Sequence, residues 1–294
     1  MIGDPGPDGM ALPDDHIAEW KGHALTVRAS QLVLQRTLDP LPNSALAFAD
    51  ALYPWEKVSA WSRDYLLASA DFLLSWADQF APYEFDPHAV NRIAYRPYLM
   101  LARCGLEAAA HGLWLVAAES PKDCVRRHVR LMNRDFHYHR AALKAGKLDE
   151  SLIQERIDAL AARAAETEPS LRPTEKPPGY EQLVRLAAET LESDPDRWAY
   201  LWNAASGAAH GQNWFGIEAF ELMSKEEYEP GYFRVKRMPA ADFITDTLDA
   251  AVSTLAGGTH LWLQYAGVSG SVWLQAIQDV FARMPKADDA DNNS

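Results

Sequence analysis

Three polar side chains recur at one-turn intervals in the most apolar stretch of the chain. Arg103, Glu107 and His111 lie four residues apart within 96–120, a stretch that is otherwise rich in Leu, Ala, Met, Trp and Val. In a helix this spacing places all three on one face. Because an unpaired buried charge is costly, a core helix that carries this row needs partners for it. One interpretation is a self-satisfied ion pair closed by His111. The other is that Arg103 and Glu107 line a pocket.

A second polar row follows in the sequence DRWAYLWNAASGAAHGQNW. Asn203, Ser206 and His210 have the spacing i, i+3 and i+7, and Ala and Gly surround them, so another helix can approach closely. We expect the two rows to face each other, with Glu107 or Arg103 near Ser206 and His210. A carboxylate beside an imidazole can act as an acid/base pair, which predicts a small-molecule hydrolase-like pocket built on Glu107 and His210. The alternative is that His210 is a hydrogen-bonded core histidine.

Residues 122–147 form a strongly basic segment. They hold eight Lys and Arg against two Asp, a net charge of +6 in a chain of net charge −13. Such asymmetry is typical of a phosphate or nucleic-acid contact surface. The alternative is pairing within the chain, because the next segment is acidic: it contains Asp149, Glu150, Glu155 and Asp158. His137 and His139 point to different faces of a helix and do not make a metal site on their own.

Helical periodicity, interrupted by Pro and Gly, extends over most of the chain. It predicts an all-α multi-helix bundle of about nine to eleven helices, including a short piece at 88–94, in one domain over 16–285. Ser120 and Asp194 are N-cap candidates. The segment near 226–238 predicts a small β-hairpin about Pro230-Gly231, or an irregular loop. The segment at about 167–179 is Pro-rich and predicts a mobile linker. The charged ends 1–15 and 286–294 predict disordered tails.

Composition narrows the class of protein. Hydrophobic residues make up 48% of the chain, which is ample for a core, and the acidic balance argues against a surface that coats DNA generally. An uninterrupted membrane-length apolar run and a signal-peptide pattern are both lacking. The two cysteines, Cys104 and Cys124, have no CxxC partner. We therefore expect a cytoplasmic protein with no membrane segment, no metal and no cofactor.

The pairing of Arg103-Cys-Gly-Leu-Glu107 with Ser206-Gly-Ala-Ala-His210-Gly211 resembles a group of mainly actinobacterial all-helical proteins. These proteins are distantly similar to the HEPN (higher eukaryote and prokaryote nucleotide-binding) helical bundles, and the resemblance covers about residues 60–215. The Arg-x4-6-His motif of that group is matched by Arg134 and His139, and in spacing by Arg130 and His137.

The resemblance implies a HEPN-like protein that acts on RNA or a nucleotide in a defence or stress role. Arg134 would bind phosphate and His139 would act as acid and base. It also implies a homodimer, for which Trp262 and Trp273 are interface candidates, although core packing explains them equally well.

The sequence leaves three functions open, and with them the question of whether the chain is an enzyme. The first is the RNA- or nucleotide-directed activity, and the second is the hydrolase-like pocket. The third is a non-catalytic helical binding or assembly module in which Arg103, Glu107, Ser206 and His210 form a structural polar network. The position of the best-formed pocket relative to these residues would separate the three functions.

Overall fold

The computed structural model describes residues 13–83 and 95–284. It is 72% helical, with eleven helices and one antiparallel hairpin, which confirms the predicted all-α bundle with a small β-hairpin. The predicted piece at 88–94 and most of both predicted tails lie outside the described residues. The elements are α1 (Asp14–Arg36), α2 (Ala45–Leu52), α3 (Val58–Phe80), α4 (Tyr95–Val116), α5 (Pro121–Ala145), α6 (Ser151–Thr167), α7 (Tyr180–Thr190), α8 (Pro195–Ala209), α9 (Phe215–Glu218), β1 (Phe220–Glu229), β2 (Tyr232–Pro239), α10 (Ala241–Tyr265) and α11 (Ser271–Arg283).

Helix α4 lies at the centre of the bundle. It packs most extensively against α3 and α10, and also contacts α5, α7 and α8. Its aliphatic residues Leu99, Leu106 and Leu113 are almost wholly buried. By length and composition α4 could cross a membrane, but 61% of its most apolar window is buried inside the bundle. This burial is typical of a core helix that is apolar on nearly every side.

Glycines allow α4 and α10 to approach α3. A Cβ atom on Gly112 would lie 2.8 Å from Leu66 Cγ and 3.0 Å from the backbone oxygen of Ser62. A Cβ atom on Gly258 would lie 2.6 Å from Leu66 Cδ2. Leu66 of α3 therefore occupies the space that these two glycines leave, and α10 continues through Gly258 without a break.

The predicted helix starts at Ser120 and Asp194 are present. The Ser120 side chain accepts a hydrogen bond from Asp123 N at 3.2 Å, and Asp194 accepts from Asp196 N at 2.9 Å and from Arg197 N at 3.2 Å. Each cap satisfies backbone N–H groups that have no partner inside the helix.

The segment between α6 and α7, for which mobility was predicted, lies against α5. Leu171 is buried, Glu175 forms an ion pair with Arg130, and the Pro178 carbonyl accepts a hydrogen bond from Arg134 Nη1 at 2.9 Å. These contacts attach the segment to the bundle at three points. Its mobility stays a prediction.

The hairpin turns at Pro230-Gly231, as expected, but its strands are longer than the predicted 226–238. Gly231 has φ +80°, a left-handed conformation that glycine adopts without strain. Every residue of β1 after Phe220 is exposed, and the hairpin contacts the rest of the chain mainly through α9. It is therefore an arm that extends from the bundle.

We expect Gly112→Ala to lower the free energy of unfolding by about 1–3 kcal/mol, because the new methyl group meets Leu66 and the Ser62 carbonyl in a packed core. The matched control is Gly22→Ala in α1, where a Cβ atom meets nothing within 4 Å. That change should raise stability by about 0.5–1 kcal/mol, because alanine is the better helix former. Urea unfolding of both variants is the measurement. Equal effects of the same sign would contradict the packing argument.

Candidate functional site

The Arg103–Glu107 pair of α4 is completed by a side chain from α8. Arg103 Nη2 lies 2.9 Å from Glu107 Oε1, and Trp202 Nε1 donates to the same oxygen at 2.7 Å. The Arg103 guanidinium lies 5.4 Å from the centre of the Trp202 ring, within the range of a cation–π contact. Arg103 and Glu107 each expose 19% of their side-chain surface. The pair is thus bonded within the chain at the edge of the core, although Arg103 Nε has no hydrogen-bond partner.

His111, one turn further along α4, is enclosed by aromatic rings and held at both ring nitrogens. Its Nδ1 lies 2.6 Å from the Glu107 carbonyl oxygen, and its Nε2 lies 2.5 Å from Arg134 Nη2 of α5. Tyr65 stacks on the imidazole at 5.1 Å, and Tyr180 meets its edge at 5.4 Å. Because arginine can only donate, Nε2 must accept and Nδ1 must carry the proton, so we assign the neutral tautomer.

Burial keeps this histidine neutral. Desolvation lowers the pKa of His111 to about 4; the hydrogen bond to the Glu107 carbonyl raises it, and the Arg134 charge lowers it. A neutral imidazole that already uses both nitrogens has no lone pair left to take a proton from a substrate. His111 therefore has the features of a structural group rather than a general base.

The second polar row does not meet the first as expected. Helix α8 contacts α4, but it reaches Glu107 through Trp202. Asn203 is exposed and its Nδ2 donates to the Ala199 carbonyl at 2.9 Å, and Ser206 is half-buried. Successive helix residues point about 100° apart, so a face that directs Trp202 inward directs Asn203 elsewhere.

Helix α8 also places His210 away from Glu107, the residue with which it was expected to pair. His210 is exposed and follows the last residue of α8. The adjacent Ala208 carbonyl accepts from Arg96 Nη1 at 3.1 Å, at the opposite end of α4 from the part that carries Glu107. Arg96 and Glu107 are eleven residues apart, about 16 Å along a helix. The expected pair is therefore wrong, because the two helices run in opposite directions.

Arg134 and His139, which match the Arg-x4-6-His motif, point apart on α5. Arg134 Nη1 and Nη2 bond the Pro178 carbonyl and His111, whereas His139 is exposed. Five helix residues turn the direction by about 140°, which explains the separation. In the other match, Arg130 pairs with Glu175 and His137 Nδ1 lies 3.1 Å from Arg140 Nη2. Arg130 and His137 are seven residues apart and so lie on the same side of α5, but each contacts another side chain of the protein.

Much of the charge of the basic segment is paired within the chain, but largely with partners other than the four acidic residues expected. Lys122 lies 3.5 Å from Glu168, and Arg127 lies 2.9 Å from Asp123 of its own helix. Arg140 Nη1 donates to Gln154 Oε1 at 2.7 Å, and Gln154 in turn donates to Asp158. A phosphate-binding surface would need these basic side chains to be free, but they are bonded within the chain.

The two tryptophans that were candidates for a dimer interface lie against the core. Trp262 is fully buried and donates to the Ser59 carbonyl at 3.1 Å, and Trp273 is partly buried. For Trp262 the core interpretation is therefore the correct one.

The two best-formed hollows of the described residues lie away from every predicted site residue. One is lined by residues of α2, α5 and the α4–α5 connection, including Cys124 and Tyr265 of α10, and the other by Leu52, Val125 and Leu171 with their neighbours. Both are small and open to solvent. Neither includes the 103/107 pair or the 134/139 pair.

Two buried polar side chains were not anticipated from the sequence. Arg28 of α1 is 3% exposed and bonds Asp78 at 2.8 Å and the Ala81 carbonyl at 2.7 Å. His128 of α5 is fully buried, and its Nε2 lies 3.0 Å from the Glu56 carbonyl oxygen. Desolvation lowers the pKa of His128 to about 4. In the sequence, His128 stands among the apolar residues Cys124, Val125, Val129 and Met132. This position could have indicated that its side chain is buried.

Comparisons of the chain with protein-family models, with curated proteins and with solved structures find no match. The resemblance to HEPN proteins accordingly stays a prediction.

We expect stability to fall as the pH drops from 6.5 towards 4. The unfolded chain takes up protons at both His111 and His128 near pH 6.5, whereas the folded chain binds them only near pH 4. The loss is up to about 1.4 kcal/mol per pH unit for each histidine. Urea unfolding between pH 4.5 and 7.5 should show a shallower dependence in His111→Gln than in the wild type. The control is His139→Gln, which removes an exposed histidine and should leave the slope unchanged.

Arg134 and His139 should differ sharply in their effect on stability. Arg134→Met leaves the His111 Nε2 and the Pro178 carbonyl without a donor, and should cost about 1–3 kcal/mol. His139→Ala changes an exposed side chain and should stay within about 0.5 kcal/mol. Thermal and urea unfolding measure both. A destabilising His139 change beside a neutral Arg134 change would contradict the assigned roles.

Proposed function

We propose that the chain is a non-catalytic assembly module that associates with a second copy of itself through the β1–β2 hairpin. The observation that carries this proposal is the exposure of the hairpin. Leu222, Phe233 and Val235 are 56%, 43% and 47% exposed on an arm that contacts the bundle mainly at its base. A two-stranded hairpin alone in water is marginally stable, so a partner that covers it contributes to its order.

The polar groups around α4 support a structural role rather than catalysis. Arg103, Glu107, His111 and Arg134 are all engaged with neighbouring groups of the chain. Buried polar groups that bond one another make a core specific and rigid. This network leaves no acid, base or cation directed into an open cavity.

The two faces of the hairpin differ in character. In the register, Leu222 pairs with Arg237, Lys225 with Val235 and Glu227 with Phe233, so Leu222, Phe233 and Val235 share one face. The opposite face holds Tyr228 and Tyr232, with the Arg234 guanidinium 5.0 Å from the centre of the Tyr228 ring. The face of Leu222, Phe233 and Val235 also carries Lys225, Glu227 and Arg237, and its exposed apolar side chains gain from burial.

The strand charges favour a second copy as the occupant. The register places Lys225 and Glu227 of β1 on the same face as Phe233 and Val235, whereas Glu226 and Arg234 lie on the opposite face. In a two-fold dimer that packs these faces with β1 against β1 of the partner in antiparallel sense, Lys225 of each copy lies opposite Glu227 of the other. Both the charges and the apolar side chains of this face then suit a second copy.

We expect the wild-type chain to form a dimer whose population rises with protein concentration, measured by analytical ultracentrifugation. Phe233→Ser with Val235→Ser should shift it to monomer, because the apolar area buried between the faces is lost. The matched control is Tyr232→Ser on the opposite face, which should dimerise like the wild type. A wild-type chain that stays monomeric at all concentrations, or a dimer unaffected by the double variant, would overturn the proposal.

Charge reversal tests the arrangement of the strands. Glu227→Lys leaves two lysines on this face of β1, and Lys225→Glu leaves two glutamates, so like charges meet across the two-fold axis. Each variant alone should dimerise more weakly than the wild type, and an equimolar mixture should recover the dimer. Recovery supports β1 opposite β1 of the partner; a mixture no stronger than either variant alone counts against this arrangement.

An RNA-cleavage assay tests the alternative activities directly. Incubation of total RNA with the wild type, His139→Ala and His210→Ala should give no cleavage by any of the three. If the wild type cleaves RNA and His139→Ala does not, the assembly proposal is wrong and the activity belongs to the Arg134–His139 motif of α5. Loss in His210→Ala alone would point to the end of α8.

A further inference from the structure

Three potential metal ligands meet where α1 packs against α10. Glu19 and His23 lie one turn apart on α1, and Asp249 extends from α10. His23 Nε2 lies 3.6 Å from Glu19 Oε1 and 4.0 Å from Asp249 Oδ1, and all three ligand atoms lie within 4.8 Å of one another. Imidazole nitrogen and carboxylate oxygen are ligand types that zinc and related divalent ions accept together.

The imidazole of this cluster has a nitrogen without a hydrogen-bond partner. His23 Nε2 is buried, and the nearest carboxylate oxygens, 3.6 Å away on Glu19 and 4.0 Å away on Asp249, are farther than in an ordinary hydrogen bond. Buried polar atoms of folded proteins are nearly always bonded, so an orphan of this kind needs an explanation. The side chain is only 12% exposed, whereas Glu19 and Asp249 are 46% and 52% exposed. The two carboxylates therefore form the exposed side of the cluster.

A histidine on the same side of α1 provides the contrast. The His16 Nδ1 lies 2.9 Å from Thr245 Oγ1, and its Nε2 lies 2.8 Å from Asp242 Oδ1. Thr245 Oγ1 also accepts from Trp20 Nε1 at 2.8 Å. Both ring nitrogens of His16 therefore have partners where α1 contacts α10, whereas the Nε2 of His23 does not.

The spacing of the three atoms suits a metal ion better than a hydrogen bond. Ligands about 2.1 Å from a tetrahedral ion lie about 3.4 Å from one another. The separations of 3.6 and 4.0 Å are close to that value and need only small side-chain movements. Burial lowers the pKa of His23, although both carboxylates raise it.

We propose that Glu19, His23 and Asp249 bind a divalent first-row transition ion, of which zinc is the representative, with water completing the coordination. The ion would link α1 to α10 across their contact. This site is separate from the hairpin and does not rest on the proposed assembly function.

The test uses the full chain, freed of metal with a chelator and titrated with zinc by calorimetry. Cobalt(II) serves as a second probe, because its visible absorption reports the ligand set. We expect one ion per chain and a thermal midpoint that rises with the ion. His23→Ala and Asp249→Asn should each weaken binding by at least about tenfold, since even an outer-shell change costs that much.

The matched control is His260→Ala, which removes an exposed histidine from α10 and should bind zinc like the wild type. Circular dichroism confirms that each variant is folded, and Asp249→Asn preserves the size of the side chain if His23→Ala does not fold. No zinc binding by the wild-type chain, or binding that is unchanged in both His23→Ala and Asp249→Asn, would overturn the proposal.

Discussion

The bundle depends on supplying hydrogen-bond partners to the polar row of its central helix. Arg103, Glu107 and His111 occupy one face of α4, where water cannot serve all of them. Trp202 of α8 bonds the carboxylate, and Arg134 of α5 bonds the imidazole. Tyr65 of α3 and Tyr180 of α7 cover the ring. One row of side chains thus ties α4 to four other helices, and removing any member would leave a buried polar atom unpaired.

That constraint also determines what the row can do. A guanidinium that bonds both an imidazole and a carbonyl, and an imidazole held neutral by burial, are committed to the fold. Catalytic groups need access to a substrate and a proton that can move. The network has neither, so its chemistry contributes rigidity and specificity of packing instead.

Two features outside this network have unmet interactions. The hairpin exposes Leu222, Phe233 and Val235, and the contact between α1 and α10 contains the unbonded Nε2 of His23. Exposed apolar surface and orphan buried nitrogens are both unfavourable when left alone, and both are relieved by binding something from outside.

The sequence by itself determined the local features of this protein. Apolar periodicity indicated the bundle, Ser120 and Asp194 marked helix starts, Pro230-Gly231 marked the hairpin turn, and the i, i+4 spacing of Arg103 and Glu107 indicated their ion pair. These features depend on residues a few positions apart. Only the tertiary structure decided that Trp202 rather than His210 reaches Glu107, that Arg134 turns inward to His111, and that Asp249 meets Glu19 and His23. Each of these contacts joins distant segments, and a rotation of about 100° per residue decides which neighbour on a helix faces the partner.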